Sequence, residues 1–286
     1  MGTIPKVYDL KKPGAASVPL VVDSPHSGSL LPEDFHFICS LQDIRQSEDS
    51  YMDRFAAGAP RHGAAVLRAL TSRAYIDLNR AVSDLHPDVC AEDIPWPIHR
   101  SKRVQYGMGL IRHLVRPKEN MYAAPLPLAA IEHRIKHYYE PYYAALESEL
   151  KAAHQSFGRV LHVNLHAMPA IGADGAPLED VILGDHDGHS CARMYREAVK
   201  KVFESHGLKV VVNHPYKGVE LTKRFAKPRQ GFHSIQIEVN KSLYMDEQTL
   251  ALHDGFHEMQ KVFDDLWKNL ATLLAPQESE MPKAAE

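Results

Sequence analysis

Two histidines sit where apolar segments end, and residues of this type at that place could bind a metal ion. The run 18–24 (VPLVVDS) is apolar and β-branched and gives way to His26 and a Gly-containing turn, and the run 159–166 (RVLHVNLH) ends in His166. Each has the composition of a buried strand, and ligands of open α/β sheets gather beyond the carboxyl ends of the strands. Neutral imidazole is the commonest metal ligand. We therefore predict a metal site, with a hydrogen-bonded or surface role as the alternative for each histidine.

A carboxylate would complete the three protein ligands of a catalytic zinc site, whose fourth position stays open. The segment 46–55 (QSEDSYMDRF) offers Asp49 and Asp53, four residues apart and therefore on one face of a helix. The spacing alone favours a structural interpretation, in which Asp49 caps a helix and Asp53 is solvated or paired with a basic residue. The sequence leaves open whether Asp49 or Asp53 is the carboxylate ligand.

Basic and amide side chains accompany a third apolar segment and could hold a substrate carboxylate. In 72–80 (SRAYIDLNR) we expect a strand over 74–78 that ends with Asn79 and Arg80. The planar guanidinium of arginine binds carboxylates, and asparagine can add a neighbouring hydrogen bond. Arg73 and Arg80 are therefore candidates for an acidic substrate, with ion pairing inside the fold as the alternative.

Glu238 is the candidate general base. It lies in 233–240 (HSIQIEVN), where polar and apolar residues alternate as in a half-buried strand. At the end of the sheet its carboxylate could take a proton from a metal-activated water. Alternatively, the polar face of this strand is solvated and Glu238 has no part in chemistry.

These residues need elements that bring them together, and strand-like and helix-like segments alternate along the chain. Such alternation predicts one α/β domain over residues 1–274, with a central, mostly parallel or mixed sheet flanked by helices. The expected strands are 18–23, 74–78, 160–165, 181–184, 208–213 and 234–239. The expected helices are 126–154, with a kink or break at Pro141, 190–206 and 247–274. We also expect an active-site loop over 82–97 and a disordered tail over 275–286.

Composition narrows the class of protein. The 286 residues carry a net charge of −3, which gives no electrostatic case for nucleic acid or a membrane surface. No apolar stretch approaches the roughly 20 residues of a membrane-spanning helix, and the amino terminus lacks the apolar region of a signal peptide. Cys39, Cys90 and Cys191 are odd in number and far apart, which indicates reduced thiols and a cytoplasmic location.

Several of these segments, taken together, resemble the N-formylglutamate amidohydrolase family. They cover most of the chain in order: SPHSG at 24–28, DSYMD at 49–53, SRAYIDLNR at 72–80, LHAMP at 165–169, LGDHDGHSC at 183–191 and NHPYKGVELTKRFAKPRQGFHSIQIEVNKSLYMDE at 213–247. The family is related in fold to the zinc carboxypeptidases and aspartoacylase. The resemblance implies a zinc-exopeptidase-like hydrolase that releases formate from N-formyl-L-glutamate or a similar N-acyl acidic amino acid, as in histidine catabolism.

The resemblance also assigns roles to residues. It implies that His26, Asp49 and His166 bind one divalent metal ion, with zinc favoured and cobalt, manganese or iron as alternatives. It implies Glu238 as the base and Arg73, Asn79 and Arg80 as substrate contacts. Because basic residues lie near Gly-containing loops, we add His113, Lys217 and Arg224 as weaker candidates for a second anionic contact.

Four positions depart from the family pattern and bear on the substrate. Asn164 replaces a usual Asp, Ala167 a usual Ser, Tyr143 a common His and Val219 a second Gly. The metal and base candidates are unaffected, whereas the surroundings of the site are changed. The alternatives are therefore a related amidase or carboxypeptidase-like peptidase with another substrate, or a non-catalytic protein that binds an acidic metabolite. The sequence leaves the oligomeric state open.

Overall fold

A seven-stranded mixed sheet forms the centre of the protein, in a computed structural model that describes residues 6–14, 16–116 and 118–276. The seven strands are β1 (Tyr8–Lys11), β2 (Leu20–Ser24), β3 (Ala65–Ala69), β6 (Val160–Met168), β7 (Val181–Gly184), β8 (Val210–Val212) and β9 (Phe232–Asn240). The strand order is β1-β3-β2-β6-β9-β7-β8. Strands β3, β2, β6 and β9 are parallel neighbours, whereas β1 pairs with β3 and β7 with β9 in antiparallel fashion. A separate pair is formed by β4 (Leu114–Arg116) and β5 (Glu119–Asn120).

Helices cover both faces of this sheet, which confirms the predicted α/β architecture. They are α1 (Leu41–Gln46), α2 (Met52–Ala56), α3 (Lys102–Gln105), α4 (Leu128–Arg134), α5 (Glu140–Phe157), α6 (Arg193–Ser205), α7 (Glu220–Phe225) and α8 (Gly255–Leu274). Apolar residues of α2, α6 and α8 pack on one face of the sheet, and those of α4 and α5 belong to a second core on the other face. Among the described residues, no helix combines the length and the apolarity that a membrane crossing requires.

The expected strand over 74–78 is wrong. This segment is a buried turn whose backbone groups find partners outside the sheet: Asp77 N–H donates to the Leu110 carbonyl at 2.8 Å, and the Arg134 guanidinium donates to the Tyr75 carbonyl at 2.9 Å. The segment is apolar because it is buried, not because it pairs in the sheet. Burial and strand pairing give the same short pattern in a sequence.

Two helix boundaries also differ from expectation. A π-helical segment, Ile135–Tyr139, joins α4 to α5 ahead of Pro141, so the helix is not broken at Pro141. Helix α8 begins at Gly255, not at 247, because the Asp246 carboxylate accepts the N–H groups of Gln248 and Thr249 and Leu250 adopts a left-handed backbone with φ of 61°. These contacts fold 246–250 into a turn. The expected disordered tail lies outside the described residues from 277 onward.

Candidate metal and substrate site

His26, Asp49 and His166 meet at the carboxyl ends of the central strands. His166 belongs to β6, His26 follows β2, and the Asp49 N–H donates to the His26 carbonyl at 3.0 Å. Asp49 Oδ2 lies 2.8 Å from His166 Nδ1 and 3.4 Å from His26 Nδ1, and ligand atoms of the three residues lie within 4.8 Å of one another. All three side chains are buried. The strand-end positions of the two histidines thus converge on one point.

The far side of each imidazole is held by an outer partner. His26 Nε2 lies 2.6 Å from Asp77 Oδ1, and His166 Nε2 lies 2.8 Å from both Asn79 Nδ2 and Asn164 Oδ1. The His26 Nδ1 atom is buried and has no hydrogen-bond partner among the described residues. Histidine ligands of a metal characteristically use one nitrogen for the ion and the other for a carboxylate or carbonyl. An orphaned nitrogen beside Asp49 and His166 therefore fits a divalent cation.

Asp49, not Asp53, is the carboxylate at this point. The two do not share a helical face, because Tyr51 between them adopts φ of 69° and α2 begins only at Met52. Asp53 instead lies 2.7 Å from Arg68 in a partly buried ion pair. Asp53 thus has the structural role considered for it, pairing with a basic residue. Asp49 does not have its proposed structural role, because it does not cap the helix.

Arg73 balances the charge of the carboxylates. Its guanidinium donates to Asp49 Oδ1 at 3.1 Å and to Asp77 Oδ2 at 2.8 Å. Burial opposes ionisation of Asp49, yet the charge of Arg73, the hydrogen bond from His166 and the nearby His26 hold its pKa well below the usual value. Asp77 is likewise buried, and His26 and Arg73 hold its pKa well below the usual value. Arg73 thus keeps both acids ionised. It forms ion pairs inside the fold, which was the alternative to a substrate contact for this residue.

Glu238 lies beside His166 on the neighbouring strand. The two residues are register partners of the parallel pair β6–β9, so their side chains leave the sheet on the same face. Gln236 Nε2 donates to Glu238 Oε1 at 2.6 Å. Burial raises the pKa of Glu238, and the nearby Asp49 adds to this effect. A carboxylate with a raised pKa next to the predicted ligands has the properties of a general base.

A cavity of about 530 Å³ opens over these groups. Asn79, Arg73 and Arg80 line it, as predicted. Arg80 also donates to the carbonyls of Asn79 at 2.8 Å and Met108 at 3.1 Å, so it holds backbone as well as facing the cavity.

Further basic residues line the cavity and were missed from the sequence: Lys102, Arg103, Arg112 and Lys241. Burial and the charges of Arg73 and Arg80 lower the pKa of Arg112 to about 10. The basic stretch around 100–103 was a usable signal, whereas nothing local to Arg112 or Lys241 indicates the site. Lys241 holds the segment before Asp49, because its ammonium donates to the Glu48 carbonyl at 2.6 Å.

Comparison with known proteins identifies the family. The N-formylglutamate amidohydrolase family model matches residues 18–245. The chain belongs to this family. An N-formylglutamate deformylase of Pseudomonas aeruginosa is 27% identical over 251 residues, which cover 81% of this chain and 84% of that protein. One from Pseudomonas putida is 26% identical over 239 residues, covering 80% and 83%.

Solved structures extend the comparison to the fold. The crystal structure of the N-formylglutamate amidohydrolase of Ralstonia eutropha JMP134 is 35% identical, with a TM-score of 0.90 over 94% of this chain and 98% of that chain. The gene product Atu2144 of Agrobacterium tumefaciens shares the fold at 18% identity, with a TM-score of 0.66 over 94% and 96%.

The three weaker candidates for a second anionic contact lie outside the cavity. The ring of His113 is tilted against that of His86, with 4.5 Å between ring centroids, in a separate cavity. The exposed Lys217 pairs with Asp187 at 2.7 Å, and Arg224 lies over the ring of Tyr143. Their predicted substrate contact therefore finds no support in the structure. The expected active-site loop over 82–97 is irregular, but its residues do not line the cavity either.

Of the four departures from the family pattern, three border the site. Ala167 and Val219 line the cavity, and Asn164 contacts His166. Tyr143 lies elsewhere and stacks on Tyr139, with 3.9 Å between ring centroids. The departures thus change the surroundings of the predicted ligands and leave His26, Asp49, His166 and Glu238 in place.

Proposed function

We propose that the protein hydrolyses the amide bond of N-formyl-L-glutamate, or of a similar N-acyl acidic amino acid, with the help of one divalent cation. The observation that carries this proposal is the buried, unpartnered His26 Nδ1 beside Asp49 and His166, with Glu238 on the adjacent strand. His26, Asp49 and His166 would hold the ion. Zinc is favoured by two imidazoles and one carboxylate. When bound, the ion would polarise the amide carbonyl and acidify a water molecule.

Glu238 manages the protons in this proposal. Its carboxylate takes a proton from the attacking water and delivers it to the nitrogen that leaves. Water adds to the acyl carbon, the C–N bond breaks, and the products are formate and the free amino acid. The raised pKa of Glu238 favours the first half of this transfer, because a carboxylate with a raised pKa is a stronger base.

The charge of the cavity fits an acidic substrate. Arg73 is occupied by Asp49 and Asp77, whereas the Arg112 guanidinium forms no hydrogen bond with another described residue. Arg103 faces the ring of Tyr216, at 5.7 Å, and likewise leaves its hydrogen-bonding groups to the cavity. Together with Arg80, these residues offer guanidinium forks for two carboxylates. We therefore propose Arg80, Arg103 and Arg112 as the substrate contacts.

Metal analysis of single variants tests the ion site. His26→Ala and His166→Ala should lose most of the zinc, whereas the matched carboxylate variant Asp53→Asn should keep it. Asp49→Asn should lose metal affinity with the histidine variants. Elemental analysis that finds a full zinc complement in His26→Ala would overturn the assignment.

A substrate panel separates the proposed reaction from its relatives. Metal-loaded protein should release formate from N-formylglutamate faster than it hydrolyses N-acetylglutamate or peptides with a carboxyl-terminal glutamate. Preference for peptides would indicate a carboxypeptidase-like peptidase. Binding of N-formylglutamate without turnover of any substrate in the panel would indicate a non-catalytic protein.

A further inference from the structure

Polar side chains continue from the proposed metal site into the interior of the protein. They project from one face of the three central parallel strands: Asp23 from β2, His162, Asn164 and His166 from β6, and Ser234, Gln236 and Glu238 from β9. Asp23, Asn164 and Ser234 have no solvent exposure. Buried polar groups are retained where each finds a partner. The members of this polar ladder behind the site are Asp23, His162, Asn164, Ser234 and Gln236.

Asp23 is the anchor of the polar ladder. Its Oδ2 accepts from the Tyr142 hydroxyl at 2.9 Å, and its Oδ1 lies 2.8 Å from His162 Nε2 and accepts from Asn164 Nδ2 at 2.7 Å. An ionised carboxylate only accepts hydrogen bonds. Asp23 therefore requires the NH₂ group of Asn164 to face it, which leaves Asn164 Oδ1 to face His166 Nε2 at 2.8 Å.

The second neighbour of His166 Nε2 is a hydrogen-bond donor, whereas Asn164 Oδ1 is an acceptor. Asn79 Oδ1 accepts from the Leu221 N–H at 2.9 Å, so Asn79 Nδ2 faces His166 Nε2 at 2.8 Å. His166 thus has two satisfied arrangements. With the proton on Nδ1 it donates to Asp49 and accepts from Asn79. With the proton on Nε2 it donates to Asn164 Oδ1, which also accepts from Asn79 Nδ2 at 3.3 Å, and its Nδ1 lone pair is free to bind an ion.

We propose that Asp23 and Asn164 are positioning residues that select the metal-binding tautomer of His166. Asp23 fixes the orientation of the Asn164 amide, and the Asn164 carbonyl oxygen holds the proton on Nε2. This inference rests on the proposed function in one respect, the role of His166 as a ligand. Neither residue lines the cavity.

Zinc affinity, measured by competition with a chelator, tests the proposal. Asn164→Leu keeps the size of the side chain and removes the acceptor, so the zinc Kd should rise about 10- to 100-fold, as for other outer partners of metal ligands. Asp23→Asn should raise it as well, because the new amide no longer dictates the orientation of Asn164. Tyr142→Phe is the matched control: it removes a hydrogen bond from Asp23 but leaves the Asn164 contact, so zinc affinity should be unchanged.

The double variant Asp23→Asn with Asn164→Asp gives the sharpest test. It reverses the hydrogen bond between the two positions, since the amide at 23 donates to the carboxylate at 164, and it restores an acceptor facing His166. Zinc affinity should recover towards the wild-type value. A purely structural role predicts instead that the double variant binds zinc no better than the single ones.

Two further measurements distinguish a folding defect from a change in the tautomer of His166. Thermal unfolding of the zinc-free proteins identifies variants that do not fold, and ¹⁵N NMR of the zinc-loaded wild type should show His166 protonated on Nε2. Unchanged zinc affinity in Asn164→Leu, or a zinc-loaded His166 protonated on Nδ1, would overturn the inference. If His166→Ala also retains zinc, the proposed function itself fails.

Discussion

The two faces of β6 and β9 differ completely in chemistry although the strands are shared. One face carries Leu161, Val163 and Leu165 with Ile235, Ile237 and Val239, all fully buried against α2, α6 and α8. The other carries three polar residues from each strand, of which His166 and Glu238 reach the cavity. Alternation in a strand therefore does not require one face to be solvated. Here the polar face is buried, and its groups bond to one another.

The apolar face of these strands contributes to the stability of the fold, whereas the polar face contributes to the chemistry of the site. Burial of the apolar face favours folding in proportion to the area removed from water. The polar face gains little from burial and is specified by hydrogen-bond partners, because a lost partner leaves a desolvated group behind. A substitution on one face should therefore change the free energy of unfolding, and one on the other should change metal binding or turnover.

The largest expected effect lies on the polar face, at Glu238. Glu238→Gln keeps the size of the side chain but cannot accept the proton of water, so kcat should fall about 10²- to 10⁴-fold. Zinc content and the unfolding free energy should stay close to wild type. Steady-state kinetics with elemental analysis of the same sample decides the matter, and a zinc-loaded variant with near wild-type kcat would remove Glu238 from the mechanism.

The neighbouring position on the apolar face should give the opposite result. Ile237→Ala removes buried methylene and methyl groups from the core and should lower the unfolding free energy by about 2–5 kcal/mol. The folded fraction should keep its kcat, because Ile237 does not line the cavity. Denaturant unfolding and kinetics below the transition are the measurements. A large loss of kcat in the folded variant would show that the two faces are coupled.

A third prediction concerns the cationic wall of the cavity. Arg112→Ala should lower kcat/KM about 10- to 150-fold, which corresponds to the roughly 1.5–3 kcal/mol of a hydrogen bond to a charged group. Arg112→Lys should rescue activity only in part, because lysine lacks the planar fork. The penalty should shrink for a substrate whose matching carboxylate is amidated. An equal penalty for the acid and the amide would make Arg112 structural.

The smallest expected effect belongs to the next residue, His113, which faces the other cavity. Burial and the neighbouring His86 lower the pKa of His113 from 6.5 to about 4. The folded state therefore binds fewer protons than the unfolded chain between these values, and His113 should destabilise the protein as the pH falls from 6.5 towards 4. The contribution is at most about 1.4 kcal/mol per pH unit.

His113→Gln should flatten this pH dependence, whereas His257→Gln at an exposed position should not. Urea unfolding at a series of pH values checks the slope. Turnover of N-formylglutamate at neutral pH should be unaffected by His113→Gln, since His113 lies outside the substrate cavity. An activity loss comparable to that of Arg112→Ala would indicate that His113 contacts the substrate.

The sequence by itself determined five of the seven strands of the sheet, all but β1 and β3, and the positions of both histidines at strand ends. Long apolar runs bounded by Pro and Gly are strong local signals, and β2, β6, β7 and β9 all lie where those signals predicted. The family could be recognised because its motifs are contiguous in the chain and cover most of it. The carboxyl ends of neighbouring parallel strands meet at one edge, so the convergence of His26 and His166 followed from the pattern as well.

Only the tertiary structure decided which partners complete the site. Asp49 and Asp53 are equivalent by spacing, and the left-handed backbone at Tyr51 is what directs Asp49 alone to the histidines. Arg112 reaches the cavity from a distant loop, while His113 beside it reaches another. The polar face of β9 could equally have been solvated, and burial behind α5 turned it into a bonded network. Periodicity records which residues share a face, whereas the environment of that face depends on contacts between segments far apart in the chain.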